Sequence, residues 1–336
     1  MRNDTRLKFN HYTAEVARIN NVCSAAVQFT VDPAPAQALE QKIQLSSEFL
    51  GRINIQPVID QTGEAIGLSV VKTIAGRTNT TGSKRRQPQD PTGFGKNTYS
   101  CVKTDFDIAL PYTKIDAWAR FDDFPDKWAS ACASAIALNR IMVGWNGVKI
   151  SDDTDRDLYP LLQDVNIGWL EKIRQRAPER YMKEVVVGSG KVKVGATGDY
   201  ENLDALVQDV VNDLIDEVHQ DATDLVVICG RQLLNDKNFA IVNKDQDNQN
   251  VLAGQVLIGQ KQIGGYPAVR VPYFPENAIL ITSFDNLSIY YQEDAKRRFI
   301  KEEPEANRVA DYQSSNEDYV IEAYEKVAFV ENIQIV

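Results

Sequence analysis

An acidic run and a glycine-rich run are where the residue types of this chain could do chemistry. Asp153, Asp155 and Asp157 repeat at the alternate spacing that opens a calcium-binding EF-hand loop. The sixth position, which needs Gly for the sharp turn, is Leu158; Pro160 intrudes, and the twelfth is Asp164 rather than Glu. A solvated acidic turn outweighs a metal site. Gly188-Ser189-Gly190-Lys191 has part of a phosphate-cradling loop but lacks the G-x-x-x-x-G-K spacing and the Ser or Thr after lysine. The flanking valines instead point to a hairpin over 185–194. Cys229 ends an apolar run before Gly230, where α/β enzymes place nucleophiles, yet no candidate base stands nearby in sequence. His11 and His219 are the only histidines, too few for a triad or a metal set. No catalytic, cofactor or metal residue is assigned.

Lys84, Arg85 and Arg86 form a basic cluster in the long polar loop. It admits three readings: non-specific nucleic-acid contact, a solvated loop, or charge pairing with an acidic neighbouring subunit. The third accounts for basic charge at the tip of a long reach, because the chain as a whole carries a net charge of −10. That charge, with a pI near 4.9, disfavours a surface that grips DNA. Four dispersed cysteines without a CxxC pair read as reduced thiols in a cytosolic setting. No run reaches the roughly 18 apolar residues of a membrane span, and no membrane partner is expected.

The elements that would position these residues are organised around one long helix, expected over 123–144. Phe124, Trp128, Ala131, Ala135, Leu138, Met142 and Trp145 recur at 4-3-4-3 spacing, one face of a helix. Ala129, Ala133 and Ala137 form a second, smooth stripe, expected to lie against an extended loop or arm. Gly144 and Gly147 are read as its terminators. Before it, residues 5–20 read as a short amphipathic helix. Pro33 and Pro35 read as a linker that makes residues 1–29 detachable. Strands are read over 53–58 and 66–74 and in the return Phe106, Ile108, Leu110, Tyr112, enclosing a long polar loop. After it come helices over 161–176 and 200–219 and a doubly buried strand over 225–229. A helix over 231–242 and short strands to the C-terminus complete a mixed α+β chain.

Eight stretches carry a resemblance: RINIQPV (52–58), MVGWNGVK (142–149), LQDVNIGWL (162–170), GDYENLDALV (198–207), DLVVICGRQLL (224–234), FAIVNKDQDN (239–248), AVRVPYFPENAILIT (268–282) and NLSIYY (286–291). With the order of elements, they resemble the major capsid proteins of tailed double-stranded DNA bacteriophages, in the Peduovirus-type, contractile-tailed branch. They spread over nearly the whole chain, and none is a catalytic motif.

The resemblance implies the tailed-phage capsid fold. Residues 1–29 would be an N-terminal segment removed on maturation near Phe29 and Thr30, 30–65 an arm and 66–112 an extended loop. Residues 113–198 and 293–325 would form a peripheral domain with the spine helix, and 199–292 and 326–336 an axial domain. It further implies hexamers and pentamers closing an icosahedral shell around DNA. A scaffolding protein, a maturation protease and a portal would be partners, and the virion the destination. Two other readings stay open on residues alone: a cytosolic α/β enzyme with a site near 225–229, and a tail or binding protein that uses the loop as a hook.

Overall fold

A computed structural model of the chain describes residues 1–65, 69–70, 75–81, 83–88, 92–93, 97–118, 124–233 and 262–336. Its principal helices are α1 (Asn3–Ile19), α2 (Pro33–Leu45), α3 (Tyr112–Trp118), α4 (Phe124–Asn146), α5 (Trp169–Arg176) and α6 (Leu203–Leu214). The first strands are β1 (Phe29–Thr30), β2 (Asn54–Val58), β3 (Thr62–Ala65), β4 (Ser69–Val70), β5 (Thr92–Gly93), β6 (Asn97–Ser100), β7 (Val102–Asp105) and β8 (Ile108–Pro111). Next are β9 (Tyr181–Met182), β10 (Val192–Val194), β11 (Val226–Cys229), β12 (Gln262–Ile263), β13 (Tyr266–Val269) and β14 (Ile279–Thr282). The last are β15 (Leu287–Gln292), β16 (Arg297–Glu303), β17 (Arg308–Ile321), β18 (Ala328–Val330) and β19 (Ile333–Ile335).

The strand β17 is the axis of a seven-stranded sheet. One of its edges pairs antiparallel with β16 and then β15; the other pairs with β8 and then β7. Outside these lie β1, antiparallel to β16, and β2, parallel to β15. A six-stranded sheet, ordered β12-β13-β11-β14-β18-β9, forms the second body. Val227, Cys229 and Ile281 pack with Leu206, Val207 and Val210 of α6 on one of its faces. Val226, Ile228, Leu280 and Phe329 join Ile141, Trp145 and Trp169 on the other. Coverage on both faces is why β11 reads as an unbroken apolar run. Between β2 and β7, β3 pairs with β6 and β4 with β5, a two-stranded excursion with residues 75–81 and 83–88 towards its tip.

Several expectations are corrected. Pro33 and Pro35 start α2 rather than break the chain, since a missing N–H costs nothing in the first helical turn. Residues 161–168 are irregular, and only Trp169–Arg176 is helical. The hairpin over 185–194 does not form: β10 pairs in parallel with the C-terminal β19 instead. The helix read over 200–219 breaks after Leu214, and the element over 231–242 is described only to Leu233. The strand read over 66–74 lies mostly outside the described residues, as does Asp123, the expected cap of the long helix. Strand β15, placed with the axial residues by the resemblance, sits in the long sheet beside β17.

The face of α4 is also corrected. Cys132, Ala133, Ile136, Ala137, Arg140, Ile141, Val143 and Trp145 are among its buried positions. Ala131 and Ala135 are exposed, Leu138 is 41% exposed, and Trp128, Ala129 and Met142 are half-buried. At about 100° per residue, Ala131, Ala135 and Met142 lie roughly 160 to 180° around the helix from Ala133. Most of the 4-3-4-3 seam therefore faces away from α2; Trp145 is enclosed, and Trp128 packs against the cluster of Leu110, Ile115 and Ile300. Nothing is described for the Phe124 side chain. Ala133 and Ala137 share their core with Ile43 of α2, so the smooth stripe meets a helix of its own chain. Gly144 does not end the helix. A Cβ there would stand 2.2 Å from the Trp169 ring, so the glycine lets α5 seat against α4.

Both sites lack room. Ala133→Leu and Gly144→Ala should each lower subunit stability by about 1–3 kcal/mol in denaturant unfolding, the usual cost of overpacking. An unchanged midpoint for either would show that the α2–α4–α5 contact is loose.

Candidate functional site

The residues first singled out for chemistry are occupied by their own backbone. Asp155 Oδ1 accepts from the N–H groups of Asp157 and Leu158, both at 3.0 Å, and the buried Asp164 accepts from Asp155 N–H at 2.8 Å. These carboxylates tie a turn together, and among the described residues no group of three or more His, Cys, Asp or Glu could hold a metal. In the glycine-rich run, the Glu184 carboxylate accepts from Gly190 N–H at 2.7 Å. It takes the place a phosphate would need, and those backbone donors hold its pKa below the ordinary value. Cys229 is buried in the sheet with Sγ 3.9 Å from the Val269 carbonyl. His219 closes a short helical turn, Glu217–Gln220.

The concentrated chemistry lies along β17, whose polar sequence concealed a strand. Asp311, Gln313, Ser315 and Glu317 alternate with half-buried Tyr312, Ser314 and Asn316, so its buried face is the polar one. Each buried carboxylate has a cation from a different element. Arg298 of β16 grips Asp311 through Nε at 3.0 Å and Nη2 at 2.7 Å. Lys172 of α5 reaches Asp318 at 2.6 Å. Arg140 of α4 donates to Glu317 through Nε at 3.1 Å and Nη2 at 2.5 Å.

Arg140 is the junction. Its Nη1 also donates to Glu40 of α2 at 2.6 Å, and its guanidinium lies 5.9 Å from the centre of the Phe106 ring, between β7 and β8. Lys296, at the entry to β16, pairs with the second oxygen of Glu40. The helices α2 and α4, the β7–β8 connection and the long sheet thus meet at one buried cation. Burial alone would push the Glu40 carboxyl up, but Arg140 and Lys296 outweigh it and hold it near 2. Burial likewise opposes charge on Arg140, and Glu317 and Glu40 more than restore it.

The predicted processing region is folded down. Phe29 is buried and Thr30 exposed in β1, paired with Arg298 and Arg297 of β16. Val31 N–H donates to the Lys296 carbonyl, and Ile300 N–H to the Ala25 carbonyl, both at 2.9 Å. Ahead of it, α1 lies on an apolar bed that includes Leu110, Ile115, Ile300 and Val309. Arg6 grips Glu302 through both terminal nitrogens, and Arg298 Nη2 donates to the Tyr12 hydroxyl at 2.9 Å. Lys84, Arg85 and Arg86 are exposed in the loop excursion, far in sequence from that bed.

These are surfaces and clamps, and comparison with known proteins gives them a setting. The family described as "Phage major capsid protein, P2 family" matches residues 8–333. The chain belongs to this family of capsid proteins. It is 48% identical over 342 residues to the capsid proteins of Escherichia phage P2, covering 100% of this chain and 96% of that one. It is 43% identical over 340 residues to the major capsid protein of Serratia phage KSP20, covering 99% and 97%. Among solved structures it superposes on a chain of the satellite phage P4 procapsid that includes size determination (Sid) protein. The TM-score is 0.83 and the identity 46%, over 100% of this chain and 99% of that chain. The fold is that of phage major capsid proteins, and the chain is a structural subunit of a phage head.

For this capsid subunit the junction sets an acid limit. Glu40 has a folded pKa depressed from 4.5 to about 2, so its contribution is complete above about pH 4.5 and is lost as pH falls towards 2. That window is worth about 3 kcal/mol at roughly 1.4 kcal/mol per pKa unit. Glu40→Gln should lower stability at pH 7 by about 3 kcal/mol, since Arg140 stays buried with one charged partner fewer. The variant should also flatten the fall between pH 4.5 and 2. Equal acid sensitivity in both proteins, measured by urea unfolding across pH, would refute the assignment.

Proposed function

We propose that the chain assembles as hexamers and pentamers of an icosahedral head that encloses double-stranded DNA, without enzymatic activity of its own. A scaffolding protein would guide the shell, a portal would take one vertex, and assembly would occur in the host bacterial cytoplasm before packaging. Membership of the capsid family over nearly the full length carries this reading. The geometry supports it, because the arm, loop root and spine are braced against one strand while the loop tip projects with Lys84, Arg85 and Arg86 exposed. In this reading the tip lies on an acidic surface of an adjacent subunit, and the net charge of −10 keeps the shell from gripping its DNA.

Electron microscopy of the chain co-expressed with its scaffolding partner should show closed shells. A preparation that stays monomeric under those conditions would overturn the reading. Deleting 77–96 should abolish shells while the subunit keeps its thermal midpoint; loss of folding instead would make the loop part of the core.

Residues 1–29 would be trimmed near Phe29 and Thr30 by a maturation protease. Proteases bind substrate as an extended strand, so β1 must leave β16 before the cut, and the α1 clasp governs how often it does. Chymotrypsin, which cuts after Phe, should therefore cleave slowly at Phe29 in the intact chain. Arg6→Ala removes a half-exposed ion pair worth up to about 1 kcal/mol and should speed that cut by up to about fivefold. An unchanged rate, read by mass spectrometry of the N-terminal fragment, would mean that α1 does not hold β1 in place.

A further inference from the structure

Between β9 and β10 the chain does something the capsid fold does not explain: it displays three consecutive valines to solvent. Val185, Val186 and Val187 are 42%, 60% and 94% exposed. The loop that carries them is built. Besides the Glu184 carboxylate on Gly190 N–H, Ser189 N–H donates to the Val186 carbonyl at 2.9 Å. Gly188 and Gly190 take φ of +82° and +62°, where a side chain would be strained, and a Cβ at either would touch nothing within 4 Å. These glycines serve the turn, not packing. A fixed apolar tip loses little freedom on binding, and contiguous exposed apolar residues mark interaction surfaces. Lys183, Lys191 and Lys193 are exposed around it, against the single Glu184, whose carboxylate accepts from Gly190 N–H.

The complement is on the same chain. After α4, residues 148–158 expose Val148, Ile150 and Leu158, the last at 65%. Around them Asp152, Asp153, Asp155 and Asp157 are all exposed, against Lys149 and Arg156. Lys149 is drawn aside, with Nζ donating to the Tyr159 hydroxyl at 2.9 Å and lying 4.3 Å from that ring's centre. One surface is apolar with a basic rim; the other is apolar with an acidic rim.

We propose that the valine-tipped loop at 183–193 docks on residues 148–158 of a second copy of this chain. The partner is a copy because both halves of the match lie on every subunit of a protein that forms shells, so the inference rests on the capsid reading. Two different surfaces meeting make a head-to-tail contact, which closes into a ring or propagates across a lattice. The apolar tips supply burial, and the opposed rims select the register.

Cross-linking tests it in assembled particles. In a Cys23→Ser background, which removes the one exposed thiol, Val187→Cys and Leu158→Cys chains are co-expressed and mildly oxidised. A disulfide dimer containing one chain of each kind is expected in the shell fraction and not among free subunits. Shells without that mixed dimer overturn this contact alone, whereas a parent chain that forms no shells overturns both it and the capsid reading. Charge reversal gives a second readout. Lys183→Glu with Lys191→Glu should lower the ratio of shells to free subunits about tenfold at an unchanged thermal midpoint. Adding Asp152→Lys with Asp153→Lys should restore it; no recovery in the four-fold variant refutes the pairing.

Discussion

Everything in this subunit is hung on the pairing of buried carboxylates along β17 with cations that arrive from elsewhere. A central strand with Asp311, Glu317 and Asp318 enclosed would be untenable alone, because each uncompensated charge costs several kcal/mol. Arg298, Arg140 and Lys172 make it tenable, and they come from β16, α4 and α5. The strand therefore cannot be built until the elements around it are in place. Hydrophobic surfaces bring those elements close, and the charges fix where each one stops.

Such pairs are poor at adding stability against an apolar replacement, but they reject wrong registers strongly. A one-residue slip of β17 against β16 would carry Asp311 away from Arg298 and turn Glu317 from Arg140. In a protein whose copies must match one another over a shell, a single well-defined subunit shape matters more than a deeper energy minimum. The glycines at the α4–α5 contact act in the same direction, since Gly144 and Gly168 admit only one seating of Trp169 and its backbone.

What was legible in the sequence followed from where water is excluded on ordinary terms. The apolar β11, the amphipathic start of α6 and the existence of a long helix were read from hydrophobic spacing, and they stand. The face of that helix was misread for a physical reason. Its buried side carries Arg140, which any pattern argument sends to solvent, and the opposite side offers an equally regular apolar spacing. Only the end of β17 is legible, from Tyr319 and Ile321; its start is not, because QSSNED looks like a loop until Arg140, Lys172 and Arg298 neutralise it. Over 311–317 the signal is the alternation of Asp311, Gln313, Ser315 and Glu317, a polar period of two without the apolar residues that normally announce a sheet. The processing region was placed by resemblance, and nothing in its residues foretold that it would be laced into the sheet.

That lacing changes the meaning of a cut. While residues 1–29 are continuous with the chain, α1 that leaves its bed is returned by tethering, at an effective concentration near the millimolar range. Scission at β1 would remove the tether without touching one contact. The helix would then hold its place by affinity alone. Hydrolysis of one peptide bond there would turn a fluctuating clasp into a ratchet biased in a single direction.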